Sequence, residues 1–528
     1  MWRCNQAVQT TAQRWLRRNT SSSSGAQFAR THQQHYSVRL YSPSFGQSSL
    51  LNQPSILSGS GSHSSLIRYG DVKTNNSLNP SNPLLISSHA FSTRGGKRPR
   101  GPDFRGLQSV DEIIVVAYEH HDVMSRRDVS AFWTCISKLM TKRQPKQRSK
   151  SSNNNNNIGE ISFEDMEYML YTIFDDTANR IGHCNARELT EITLGMAKII
   201  KILRQQGKRR GEDSSRVILR RLLLSKDLKS NRELFKLFAN ALIDMLDQFD
   251  ARGLSNLAYA YALIDYVPEF DDGSDLFDHI AMKAVDKVDD AAIQREREFS
   301  NSQHVANLLW ANAAMGIVEK QLFLSFVPTA AKLIDSYTNQ GLANIAWAYA
   351  VADVDAPLLF NAHFINKCVE KKNALKNESL SQLHQWHLWQ TKERSNPGLP
   401  IDFQERCHEA FLSRVPRVSK FQDDVVAQLS SIGLDPKEEA LMGSGYRIDA
   451  VAEVNGKTIA IEVDGPSHFI GRSKSPTGST ILKRRQVPSI DRVELVSVPI
   501  LDWKKLRNDK KKKQEYLRKL LGLKSDNE

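Results

Sequence analysis

The chain has 528 residues, 40% of them hydrophobic and 25% charged, with a formal net charge of +13. At roughly 100–200 residues per domain this length calls for two or three folded units plus tails. No apolar run approaches the ~20 residues that cross a bilayer, so a membrane is not expected as a partner. Five cysteines with no C-x-x-C pair (Cys4, Cys135, Cys184, Cys368, Cys407) exclude a disulfide framework and a zinc ribbon.

The charge is uneven. Residues 1–110 hold 13 Lys and Arg against Asp71 and Asp103, residues 471–528 hold 16 against 7 acids, and the body between carries −7. Useful positive charge is therefore expected to be local and C-terminal. Seven arginines precede the first acid, Asp71, among many Ser, Gln and Thr. Arg-rich, Ser-rich and acid-poor is the composition of an organellar presequence, and no apolar run of a secretory signal is present. Residues 1–95 are expected to be such a presequence and disordered segment, directed to the mitochondrial matrix with the plastid as the alternative.

From 106 to 400 the pattern is helix after helix, interrupted by a basic, Ser- and Asn-rich low-complexity loop at 142–158. One phrase recurs at Leu254–Ala260, Val305–Ala311 and Leu342–Ala348, with a decayed copy at Leu380–Trp386. Weaker copies begin at Val129 and Leu189. The phrase Asn residues, Asn256, Asn307 and Asn344, are 51 and 37 residues apart, and Gln382 follows after 38. A period near 38 with two helices' worth of sequence predicts an α-solenoid of helical hairpins. The long first interval contains the charged stretch 289–298, which reads as a loop insertion. Most of the phrase aromatics are expected to pack between repeats. The phrase resembles octotricopeptide-type repeats and the helical repeats of FAST-kinase-like proteins, a resemblance that implies a concave surface following a single RNA strand.

After Pro400 the pattern changes to a helix near Lys420–Ser431 and two strand-like runs separated by Asn455-Gly456. Asn-Gly between such runs predicts a two-residue type I′ hairpin. That register sets Val454 opposite Lys457 and Asp449 opposite Glu462, so Asp449, Glu462 and Asp464 are expected to project together. Like charges facing one another need a cation, a raised pKa or a neighbouring Lys or Arg. A helix with Thr480 as its cap is expected to carry Lys483, Arg484 and Arg485 as a dense cationic patch. The final helix begins with Lys510–Lys513, which reads as a solubilising tail.

The stretch Glu462-Val463-Asp464-Gly465-Pro466-Ser467-His468-Phe469, followed by Leu482-Lys483-Arg484-Arg485, closely resembles the RAP domain of organellar and apicomplexan RNA-binding proteins. The resemblance covers about 421–506, leaving 507–528 as a basic C-terminal helix. It implies an α/β domain with a restriction-endonuclease-like fold. In that superfamily an acid on one strand and an acid-x-Lys on the next hold Mg²⁺. Asp449 and Glu462 match the two acids as candidate metal ligands, whereas Asp464 stands where the Lys would be. Candidate catalytic residues are Asp449, Glu462, Asp464 and His468. Candidate RNA-binding residues are Lys483, Arg484, Arg485, Lys504 and Lys505. The expected function is an organellar RNA-binding factor for mRNA or rRNA, working with ribonucleoprotein or mitoribosome components. A Mg²⁺-dependent endoribonuclease and a protein-binding helical scaffold are the alternatives.

Overall fold

The computed structural model describes residues 101–142, 161–206, 213–224, 228–294, 298–413, 419–471 and 473–524. The expected presequence, the low-complexity loop beyond Lys142 and the cluster Lys208-Arg209-Arg210 lie outside the described residues. No helix among the described residues is long and apolar enough to cross a membrane.

Helical hairpins come first. Outer α1 (Val110–Glu119) precedes inner α2 (Arg126–Thr141), and outer α3 (Phe163–Arg180) precedes inner α4 (Ala186–Gln206). Two outer helices, α5 (Ser214–Leu223) and α6 (Leu228–Ile243), lead to inner α7 (Ala251–Leu263). The pairs α8 (Leu276–Gln294) and α9 (Ser302–Ala314), α10 (Lys320–Lys332) and α11 (Asn339–Ala352), and α12 (Ala362–Glu370) and α13 (Asn377–Leu388) follow. The inner helices stack in series, each packed on the next, and α14 (Ile401–Leu412) packs on α13. The array therefore continues past residue 400.

The inner helices α2, α4, α7, α9 and α11 start in the same way, whereas α13 has Lys376 at that position with no side-chain cap. Ser125, Asp250, Asn301 and Thr338 cap α2, α7, α9 and α11 by accepting a backbone N–H of the first turn. Asn185 and Glu188 cap α4 reciprocally. The recurring phrase begins four residues after each cap, at Val129, Leu189, Leu254, Val305 and Leu342, so the two weaker copies share the register of the clear ones. Small phrase residues such as Ala258, Ala306 and Ala346 are fully buried and let neighbouring inner helices approach. Tyr261 and Tyr349 are buried as expected, and each donates its hydroxyl to a carbonyl of the preceding outer helix, Phe235 or Phe323, at 2.6 and 2.8 Å. The long interval between α7 and α9 differs from expectation. Residues 289–294 belong to α8, and the extra length includes the connection before it, pinned by a bridge between Glu269 and Asp275.

The C-terminal α/β domain runs α15 (Lys420–Ser431), β1 (Lys437–Leu441), β2 (Arg447–Val454), β3 (Lys457–Asp464), α16 (Gly478–Asp491), β4 (Glu494–Pro499), α17 (Ile500–Lys505) and α18 (Lys510–Leu520). The sheet order is β1-β2-β3-β4, with the first three strands antiparallel and β4 parallel to β3 across the α16 crossover. Asn455 and Gly456 both take positive φ, +52° and +73°, as a type I′ turn requires. The hairpin holds the predicted register from Val454↔Lys457 to Ala450↔Ile461.

One core joins the sheet to α15 and α18 through Val425, Leu429, Ile461, Trp503 and Leu517. Helix α18 is thus part of the domain. Lys513, expected in a solvated tail, is buried, pairs with Asp424 at 2.7 Å and lies over the Trp503 ring. Helix α16 packs on α9 and α11 of the array. Its cap is Thr477 and not Thr480, which places Gly478 where an added Cβ would strike the Ala313 carbonyl.

Candidate functional site

From α2 to α9 the inner helices present one stripe of side chains, two, six, nine and thirteen residues after the cap, and on α11 the equivalent Asn344, Trp347 and Val351 are buried. These offsets follow one face of a 3.6-residue helix. At the N-terminal end the stripe lines a groove of about 800 Å³ that includes Arg127, Lys138, Arg187, Lys198 and Arg252. The carboxylates there are Glu188 and Glu191. Glu191 accepts from Ser130 at 2.8 Å and pairs with Arg187 and Arg252 at 3.2 and 3.7 Å. Lys138 and Lys198 have no carboxylate partner among the described residues. Burial, and then the charge of Lys138, lowers the Lys198 pKa.

Further along, Asn256, Asn307 and Asn344 line an adjoining pocket with Tyr259. The Tyr259 and Trp310 rings touch at 5.5 Å. Gln382 donates to Asn344 at 3.2 Å, and the Trp347 indole donates to Gln385 at 3.1 Å. Equivalent positions of successive repeats thus touch one another along the stripe. The array is the net-negative part of the sequence, yet it gathers five cations against two acids on this face. Charge totals concealed them; the signal that finds them is spacing from the caps.

The acidic cluster sits at the end of β3. Glu462 and Asp464 are almost fully buried, at 2% and 1% exposure, on the side of the sheet that faces α16. Lys483 reaches Glu462 at 2.6 Å and donates to the Arg447 carbonyl at 2.7 Å. Arg484 pairs with Asp464 at 2.5 Å and donates to Ser497 at 2.9 Å. His468 Nδ1 lies 2.7 Å from Asp464, and the Ser497 hydroxyl also donates to it. The β2–β3 pairing runs to Ala450↔Ile461, and next to it the Asp449 carboxylate accepts the Val463 backbone N–H at 2.7 Å.

Burial pushes Glu462 up to about 7, with Lys483 opposing and Asp449 reinforcing. Burial also raises Asp449, while the Val463 N–H pulls it down. Asp464 goes the other way. Burial would raise it, but His468, Ser497 and Arg484 together hold it at about 2. Burial would lower His468, and its bond to Asp464 turns the net shift upward. One oxygen or nitrogen from each of Glu462, Asp464 and His468 falls within 4.8 Å of the others. The same carboxylates are already matched by Lys483, Arg484 and His468, so this donor set does not fit Mg²⁺ as it stands.

The expected cationic patch on α16 takes a different form. Lys483 and Arg484 face the acids, and Arg485 faces the array. Arg485 pairs with Glu393 at 2.7 Å and donates to the Ala350 and Val351 carbonyls at the end of α11. Beside it Gln486 donates to the Gln385 carbonyl at 2.9 Å, and the Tyr446 hydroxyl joins Gln385 to Gln486. The three cations neutralise buried acid and dock the two parts of the protein. Lys505 is exposed and pairs with Asp502 at 2.8 Å. Lys504 is exposed at the seam between the domain and the array.

Residues 461–520 match the family model of the RAP domain. The chain carries a RAP domain. Its match runs from β3 to the end of α18, beyond the expected limit at 506, in agreement with the packing of that helix. Over 198 residues the chain is 30% identical to a RAP domain-containing protein, chloroplastic, of Oryza sativa subsp. japonica. The alignment covers 35% of this chain and 30% of the relative, so the chain spans under a third of the length of the curated protein it matches.

Proposed function

We propose that this protein is an organellar RNA-binding factor that holds a single strand along the stripe of its inner helices, with the RAP domain fixed at the helices' C-terminal ends. The groove's five cations against two carboxylates carry this reading. Its N-terminal end offers phosphate contacts and its centre offers amides and aromatic rings, the combination that binds unpaired bases and backbone together. Processing, stability, rRNA maturation or translation of an organellar transcript, in a ribonucleoprotein or on the mitoribosome, would be its output. The presequence composition favours the mitochondrion, and the chloroplastic name of the rice relative favours the plastid. The α-β-β-β-α-β order of the RAP domain is consistent with a restriction-endonuclease-like fold. The endoribonuclease alternative has less support, because Glu462, one of the two acids that would hold Mg²⁺, is paired with Lys483, and the neighbouring Asp464 is paired with Arg484 and His468. A protein-binding scaffold would not need the cationic end of the stripe. Cross-linking the full chain to RNA in purified organelles, followed by mapping of the linked peptides, tests the reading. Cross-links on α4, α7 and α9 are expected, and RNA recovered no better than from an uncross-linked control would reject it.

A further inference from the structure

We propose that the seam between the helical array and the RAP domain is a binding site for a nucleotide that carries a terminal phosphate. A cleft of about 850 Å³ opens there, within the range of small-ligand sites. Its array wall includes Ile200, Ile264 and Tyr266, and its RAP wall includes Phe469, Ile500 and Leu501. These walls suit the flat apolar faces of a base.

The charged groups in the lining, among the described residues, are Arg204, Arg232, Lys504 and Asp265. Arg204 is tied to Asp265 at 3.3 Å, which leaves Arg232 and Lys504 without a carboxylate among the described residues. Arg232 lies over the Tyr266 ring at 5.6 Å, and Lys504 projects into solvent from α17. The surplus of two positive charges matches the dianion of a phosphate monoester; an internal phosphodiester supplies only one negative charge. Ser467 and Thr477 add hydroxyl groups to the rim.

The acidic cluster acquires a role in this arrangement. Asp464 and His468 bracket the turn Gly465-Pro466-Ser467, and Thr480 holds it by donating to the His468 carbonyl at 3.0 Å. Pro466 and Ser467 of that turn form the RAP side of the cleft mouth. The pair of buried Asp464 and half-buried His468 is a clamp that aims the turn at the seam, and His468 is a positioning residue. The nucleotide is either the phosphorylated end of an RNA, which rests on the RNA-binding reading, or a free mononucleotide, which does not.

The test uses the full chain. Isothermal titration with AMP, UMP, adenosine and inorganic phosphate should give binding by the mononucleotides at least about tenfold tighter than by adenosine or phosphate. R232E and K504E should each abolish that preference, and K504E should leave the unliganded melting temperature unchanged. If R232E fails to fold, the exposed K504E still decides. Decamers of one sequence ending in 5′-hydroxyl, 5′-phosphate or 3′-phosphate separate the sources: preference for one phosphorylated end, lost in K504E, assigns the cleft to an RNA terminus, and mononucleotide binding without end preference assigns it to free nucleotide. Absence of both, or preference that survives both variants, overturns the proposal. The 5′-hydroxyl decamer, with and without K138E, reports on the groove separately. If no decamer binds, the RNA-binding reading fails while the mononucleotide titration still judges the cleft.

Discussion

Lys483 Nζ lies 2.6 Å from Glu462 Oε1, so a helix supplies the cation to a buried strand carboxylate whose next same-face neighbour is the acid Asp464. Removing one partner of such a pair leaves an uncompensated buried charge, whereas removing both does not. K483M is therefore expected to destabilise the protein by about 3 kcal/mol, the lower end for a broken buried pair. E462Q, which keeps the volume of the side chain, should cost less. The double variant K483M/E462Q should recover part of the K483M loss, a positive coupling readable in a double-mutant cycle by chemical denaturation. Strict additivity would mean that the two groups do not interact.

The same cluster sets a pH dependence. Glu462 titrates near 7 when folded against an ordinary value of 4.5, so the native state holds its proton more tightly than the unfolded chain does. Its effect is a loss of stability as pH rises from about 4.5 to about 7. His468, raised above 6.5 by Asp464 against the effect of burial, contributes stability below that value and loses it as pH climbs through the raised one. Asp464, held at about 2, contributes above its ordinary 3.8 and fails only as pH falls towards 2. Melting temperature across pH should show E462Q flattening the profile between about 4.5 and 7, and H468Q flattening it on the alkaline side. Profiles parallel to the wild type in both variants would contradict the assignment.

Docking of the RAP domain depends on a close backbone approach. An added methyl at Gly478 meets the Ala313 carbonyl and comes within 3.2 Å of Val351, neither of which is the free end of a flexible side chain. G478A should cost about 1–3 kcal/mol as an overpacked contact. R485A should act on the same seam by leaving the nearly buried Glu393 without its cation. Both variants should speed amide exchange at the end of α11 and in α16 and spare α2 to α4. Unchanged exchange at the seam would mean that these contacts do not hold it.

Much of the architecture was legible because it is written locally. An apolar, Ala-rich phrase needs no distant partner, and its recurrence announced the array, with weaker copies at Val129 and Leu189. The Asn455-Gly456 turn likewise set the hairpin pairing. What escaped was anything decided by a partner far along the chain. Lys483, Arg484 and Arg485 read as an open patch because nothing nearby in sequence announces that Glu462, Asp464 and Glu393 receive them. The groove cations Lys138 and Lys198 were hidden by a net charge summed over a segment whose acids slightly outnumber its bases. Lys513 looked solvated because Asp424, its partner, lies 89 residues away.

That last pairing predicts where the RAP domain ends. Trp503 donates to Asp424 at 2.8 Å, Lys513 donates to the same carboxylate at 2.7 Å, and Leu517 is fully buried against the sheet. Truncation after Asn508 removes the cation and the apolar face together. It should leave the shortened protein with exposed core, seen as dye binding and a lost cooperative transition for the domain, while K510E and K511E on the exposed start of α18 should be neutral within about 0.5 kcal/mol.

The groove offers a case in which stability and binding should part. Lys138 and Lys198 come from neighbouring inner helices, and both burial and the charge of Lys138 disfavour the charged form of Lys198. Keeping two such cations without carboxylates is unfavourable to folding and is expected where a polyanion is to be held. K198E should therefore leave the melting temperature unchanged or raise it by relieving like-charge repulsion. It should weaken binding of single-stranded RNA and reduce the slope of log affinity against log salt by about 0.7 for each phosphate no longer neutralised. K505E, at a lysine already paired with Asp502, serves as the control and should change neither quantity appreciably. Equal losses of RNA affinity in K198E and K505E would indicate a nonspecific charge effect, and a drop in melting temperature with K198E would indicate that Lys198 supports the fold and not the strand.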